Sequence, residues 1–231
     1  MKRFYKDVTV VAEEGGFRVA LDGRGIRTVG GRSQIVPSRA LAEAMAAEWA
    51  DQDEEIDSTR FVLRDMADFA LDVVAPERAR TIGELLPYAE TDALCYRAEP
   101  DEPLAARQRA VWEPLLSAME TRIGVSFHRV SGVMHRPQPP EAIERIAAEL
   151  EGLDAFALAA LRNTASLAAS LTLGLAAIAP GADVEALWSA ANLEEDWQAE
   201  LWGKDAEAQD RRDKRFAAFS AAARFAELAR G

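Results

Sequence analysis

The sequence predicts an α+β protein in two parts: a small N-terminal domain of antiparallel sheet plus helix over residues 1–100, then an all-helical C-terminal domain over residues 101–231. Three observations carry this expectation. From Phe4 to about Val36, short runs alternate apolar and polar residues between turn signals. After Pro37 the apolar spacing lengthens to that of a helix. Beyond residue 100 the patterns are helical, with Pro103 suited to a first turn, where the missing N–H of proline costs nothing.

The strand candidates are FYKDVTVVAE, FRVALDG, GIRTVGG and SQIVP, joined as a meander by Glu14-Gly15-Gly16 and Asp22-Gly23, residues that tolerate positive φ. Ser38 is placed to cap the first helix, in which Leu41, Met45 and Trp49 recur on one face, so Trp49 belongs to the core. Glu48 and Gln52 share a neighbouring face at i,i+4 and could order a junction between domains. The acidic run DQDEEID lacks the alternating ligands and central Gly of a calcium loop and reads as a solvated helix end. FVLRDMADFALDVV is compatible with a strand start before it turns helical, and PERARTIGELLPYAETDALCYR is helical with a break at Pro87. Within TDALCYR, Leu94 and Cys95 are core, while Asp92 and Arg97 are polar candidates for binding.

The second domain contains PLAARQRAVWEPLLSAMETRIG and, after a Pro-rich link, PPEAIERIAAELEG. In the apolar segment that follows, Asn163 to Ala179 is rich in Ala, Ser and Thr and too short to span a bilayer, so it reads as a buried central helix. LEEDWQAELWG, Leu193 to Gly203, admits two readings. In one it is an amphipathic helix capped by Gly203, with Leu193, Trp197 and Leu201 in the core. In the other, Glu194, Glu195, Gln198 and Trp202 form the rim and anchor of a site for a protein partner.

Charge and motifs remove several classes of function. A net charge of −12 over 231 residues disfavours nucleic acid and anionic membranes, both of which call for clustered Lys and Arg. One cysteine cannot form an internal disulfide, and MKRFYKDVTVV resembles neither a signal nor a transit peptide, so a cytoplasmic location is expected. The glycines of LDGRGIRTVGG fall between strands with no helix following, which makes them hairpin turns rather than a phosphate loop. His128 and His135 lack metal-ligand spacing, and no G-x-S-x-G or Cys/His signature occurs. No cofactor, metal or small-molecule substrate is therefore expected. The alternative is a small metal-dependent hydrolase using the carboxylates around Glu194.

KRFYKDV, LDGRGIRT, VPSRALAEAMAAEWADQ, TDALCYR, LAARQRAVWEPLL, LTLGL and LEEDWQAELWG follow one another along nearly the full chain. In these motifs the chain resembles the assembly chaperone family of the F-type ATP synthase. It departs from the family pattern at Val29, Arg64 and Pro87. The resemblance implies an α+β domain followed by a helical one and no catalytic activity. It also implies an ATP-independent chaperone that binds the unassembled alpha subunit of the catalytic head and prevents its aggregation, in the bacterial cytoplasm or, for eukaryotic relatives, the mitochondrial matrix. The family's acidic residues map to Glu194 and Glu195, and its hallmark tryptophan maps to Trp49.

Overall fold

A computed structural model of the chain describes residues 1–132, 134–203 and 205–231. They fall into two compact units. The first comprises Met1–Arg78 with Asp154–Ala160 and Ala221–Gly231; the second comprises Ala79–Leu153 and Leu161–Ser220.

In the first unit, β1 (Val8–Glu13) and β2 (Gly16–Leu21) pair antiparallel in a register running from Val8 opposite Leu21 to Glu13 opposite Gly16. Gly16 has no substitute, because a Cβ there would lie 2.2 Å from the Val36 carbonyl oxygen. Asp22 and Gly23, both at positive φ, turn the chain into β3 (Arg24–Gly25), and the Asp22 carboxylate holds that turn by accepting the N–H groups of Lys6 and Asp7.

The expected third and fourth strands shrink to β3 and two isolated bridges, Arg27 with Ser33 and Phe17 with Val36. Side chains take over the bonding of this segment. Asp72 accepts from the Thr28 hydroxyl at 2.8 Å and the Gly30 N–H at 2.7 Å, while Asp68 accepts from the Gln34 amide and the Val29 N–H.

Helix α1 (Arg39–Ala50) starts where expected, with the Ser38 hydroxyl accepting from the Leu41 N–H, and it buries Leu41, Met45 and Trp49. The Trp49 ring lies 4.4 Å from Phe61 and 5.5 Å from Tyr5, whose hydroxyl donates to the Trp49 carbonyl. No strand precedes α2 (Val62–Phe69); the chain enters it through a 3₁₀ turn at Ser58–Arg60. The cause is Glu48, whose carboxylate accepts the Leu63 and Arg64 N–H groups and so supplies acceptors to the open start of the helix. A π-helical turn, Ala70–Val74, continues α2. The returning segments bring Phe156 onto Phe225 at 5.9 Å, and the Ser38 hydroxyl donates to the Leu228 carbonyl.

The second unit begins with α3 (Arg78–Leu85) and α4 (Pro87–Glu90), with Pro87 in the first turn of the latter. After β4 (Tyr96–Arg97) comes α5 (Pro103–Ile123), ended by Gly124 at φ +73°. β5 (Val130–Ser131) adds a two-residue parallel ladder with β4 to an otherwise helical unit. Next come α6 (Pro140–Glu151), α7 (Ala155–Ala168), α8 (Leu171–Ala177), α9 (Val184–Ala191), α10 (Leu193–Trp202) and α11 (Ala206–Arg230), the start of α7 and the end of α11 counting with the first unit.

The stretch Asn163 to Ala179 is buried as expected but is not one helix. Ala169 sits at φ +50°, and the Ser170 hydroxyl accepts from the Leu173 N–H to start α8 anew. α7 and α8 approach closely because Gly174 has no side chain: a Cβ there would come within 2.9 Å of Ala165. Trp112 donates to the Ala190 carbonyl at 2.8 Å, and Trp188 packs 5.3 Å from Phe219. Among the described residues, no helix is long and apolar enough to cross a membrane.

Candidate partner-binding surface

Helix α10 is anchored at its start and open at its end. Asn192, itself buried, donates its side-chain amide to the Trp188 carbonyl, and Leu193 is buried beside it. Glu194, Glu195 and Asp196 fill the first turn, where carboxylates oppose the unpaired N–H groups of a helix N-terminus. The Glu194 carboxylate accepts at 2.6 Å from Gln108, a fully buried residue of α5 that also accepts from the Ala98 N–H.

Asp196 is held by Arg212, and Glu200 takes a two-pronged bond from Arg107 at 2.6 and 2.8 Å. Arg107 also lies over Trp197, at 5.6 Å. Glu195 meets Arg215 at 3.5 Å. Each carboxylate from 194 to 200 is thus matched by a cation or an amide of the same unit. No three acidic, His or Cys side chains among the described residues are placed to hold a metal.

At the far end the expected core stripe fails. Leu193 is buried and Trp197 half-buried, but Leu201 is 57% exposed, so Leu201 is corrected from core to surface. Arg107 covers the Glu200 side of that turn, and Gly203 ends it at φ +94°. Trp202 is 79% exposed. Beside it a cavity of about 320 Å³ is lined by Glu195, Gln198, Trp202, Arg211 and Arg215. One helix end therefore exposes two large apolar side chains, of which Trp202 borders a charged rim, the composition of a protein-binding patch. The α11 arginines in that rim escape a motif search, since their only signal is a basic run, Arg211-Arg212 and Lys214-Arg215, following an acidic helix.

The other expected site residues are tied into the framework. Gln52 is buried; its amide donates to the Glu48 carbonyl and its oxygen accepts from the Asp57 N–H. Glu48 caps α2, and burial raises its carboxyl above the usual range despite two N–H bonds. Asp92 is buried, accepts the N–H groups of Leu94 and Thr172, and is pushed upward by loss of solvent. Arg97 donates to the Leu94 carbonyl and Glu113 and lies 5.4 Å over Trp112. Its surroundings include Arg129, whose bonds hold the Glu113 carboxyl below its usual range. These four side chains each bond within their own unit, whereas Gln198 and Trp202 are exposed.

A family model described as ATP12 chaperone protein matches residues 2–120. The mitochondrial protein atp12 of Schizosaccharomyces pombe is 25% identical over 230 residues, covering 92% of this chain and 78% of the relative. The crystal structure of Atp12 from Paracoccus denitrificans is similar with a TM-score of 0.93 at 36% identity, covering 99% of this chain and 98% of that one. A solved protein of Agrobacterium tumefaciens is 41% identical with a TM-score of 0.92, covering 98% of this chain and 85% of that one.

Proposed function

The chain belongs to the ATP12 chaperone family, the assembly chaperones of the F-type ATP synthase, and from that premise we propose that it binds the unassembled alpha subunit of the catalytic head and keeps it from aggregating without ATP. The observation that carries this reading is the open end of α10. A protein with no client has little reason to leave Leu201 and Trp202, on adjoining faces of the last turn of α10, in water at 57% and 79% exposure. An alpha subunit awaiting its beta partner presents an apolar contact surface that aggregates when uncovered, and such a surface can shelter against these two side chains. Glu195 and Gln198 at the rim would set orientation and speed of encounter more than affinity.

The binding role includes no catalytic step. The carboxylates that a hydrolase would need, Glu194 to Glu200, are matched by Gln108, Arg107, Arg212 and Arg215. Glu48, Gln52, Asp92 and Arg97 enter the reading as residues that position the framework.

The test is light scattering of isolated alpha subunit diluted from denaturant, with and without an equimolar amount of this chain and with no nucleotide present. Suppressed scattering and a co-eluting complex are expected. Unchanged scattering, or suppression only when ATP is added, overturns the reading.

A further inference from the structure

The first unit holds a groove that α10 does not explain. One wall is aromatic: Trp49, Tyr5 and Phe4, the last 64% exposed. The opposite wall is the backbone from Arg24 to Arg27, and the groove, open to solvent on one side, has a volume of about 640 Å³. That volume lies inside the roughly 300–1,000 Å³ range of ligand-binding clefts.

We propose that this groove binds an extended acidic and apolar segment of a polypeptide, with the apolar side chain among the rings and a carboxylate between Arg24 and Arg27. The segment would belong to the subunit the chaperone holds, so the proposal rests on that reading.

Charge selects the occupant. In a chain of net charge −12, three guanidinium groups, Arg24, Arg27 and Arg64, line one cavity. The carboxylate there, Asp22, already accepts the N–H groups of Lys6 and Asp7. Arg64 is engaged by Asp65 and Asp68, and it lies over the rings of Phe61 and Trp49. Among the described residues, neither Arg24 nor Arg27 forms an ion pair; Arg27 gives one bond to the Gly31 carbonyl. An arriving carboxylate meets two exposed cations.

Backbone geometry favours a polypeptide over a small anion. Beyond β3 the chain closes on itself, with Arg27 bridged to Ser33 and the Gln34 N–H bonded to the Ile26 carbonyl, so the open edge is that of Arg24 and Gly25, which among the described residues pair only with β2. The Ile26 N–H bonds to the Val19 carbonyl at 3.0 Å, so by the alternation of an antiparallel pair Gly25 directs its N–H and C=O away from β2. Gly25 lines the cavity, and an extended segment can add main-chain bonds there.

The test uses ¹⁵N-labelled full-length protein and two short capped peptides carrying Leu-Phe, one flanked by Asp and the other by Lys. The indole N–H signal of Trp49 is assigned by its loss in Trp49→Phe, and the Gly25 and Ile26 amides serve as reporters should that variant not fold. The Asp-flanked peptide is expected to shift these signals to saturation and the Lys-flanked one to leave them in place. Arg24→Glu with Arg27→Glu should weaken binding at least about tenfold, since like charges then face each other. Unmoved signals, equal binding of both peptides, or the same shifts from sodium benzoate alone overturn the groove as a peptide site. A chain that still suppresses scattering of the alpha subunit while ignoring the peptides loses only the groove, because the two assays share no component but the chaperone.

Discussion

Trp49 and Cys95 show what single side chains contribute. Trp49 fills the space between Tyr5 and Phe61 at 8% exposure, so Trp49→Ala should cost about 3–5 kcal/mol in a thermal or urea melt, the range for emptying an aromatic site. Trp49→Phe should cost far less, since the indole N–H it removes has no partner to lose. Cys95 is buried, and burial pushes its thiol up to about 12 from 9.0. The folded state then resists ionisation that the unfolded chain undergoes. The associated stability is complete below pH ~8.5 and falls by about 1.4 kcal/mol per pH unit from pH ~9 toward 12. Urea melts at pH 8, 10 and 11 should show that decline in the wild type and a smaller one in Cys95→Ala; parallel slopes would place the thiol in water. Both residues were legible in the sequence because helical spacing and an apolar neighbourhood mark burial. The bonds of Asp92 and Gln52 were not, since a polar residue looks the same in sequence whether its partner is water or a backbone N–H across the fold.

At the scale of elements, α10 separates recognition from support. Glu194→Lys should cost about 1–3 kcal/mol, because it strands the buried Gln108 amide, whereas Glu195→Lys should change stability by less than about 0.5 kcal/mol. Trp202→Ser should leave the melt within about 0.5 kcal/mol of wild type, as its ring is 79% exposed, yet reduce protection of the alpha subunit. A shifted melt would mean that the ring is covered in the free protein. The α7–α8 break offers a sharper check: Ala169 is exposed at φ +50°, so Ala169→Gly should raise stability by up to about 1 kcal/mol. Helices and their caps were readable from proline, serine and glycine positions. The break at Ala169 was not, because alanine there continues a helical pattern and only the Ser170 cap hints at a new start. The reduced third and fourth strands and the helical start at Val62 share one cause. Asp68, Asp72 and Glu48 redirect backbone bonding from far along the chain, and no local pattern records that.

For the whole molecule, the order sheet then helices was legible because the apolar period changes from two to about 3.6 near Pro37. Which helices share a core was not. The returns at residues 154–160 and 221–231 lie inside apolar helices whose period names a buried face without naming what covers it. The candidate surface was half legible in the same way: Trp202 and the carboxylates stood out, but Leu201 matched a core stripe and the α11 arginines matched nothing. Under the proposed function, the open end of α10 is where the unassembled subunit is held. Amide hydrogen exchange of this chain, measured alone and in complex with the alpha subunit, tests it most directly. The account predicts slowed exchange over residues 193–203 on complex formation, with smaller changes elsewhere in the second unit. A complex that forms while residues 193–203 exchange as fast as in the free chain would contradict it.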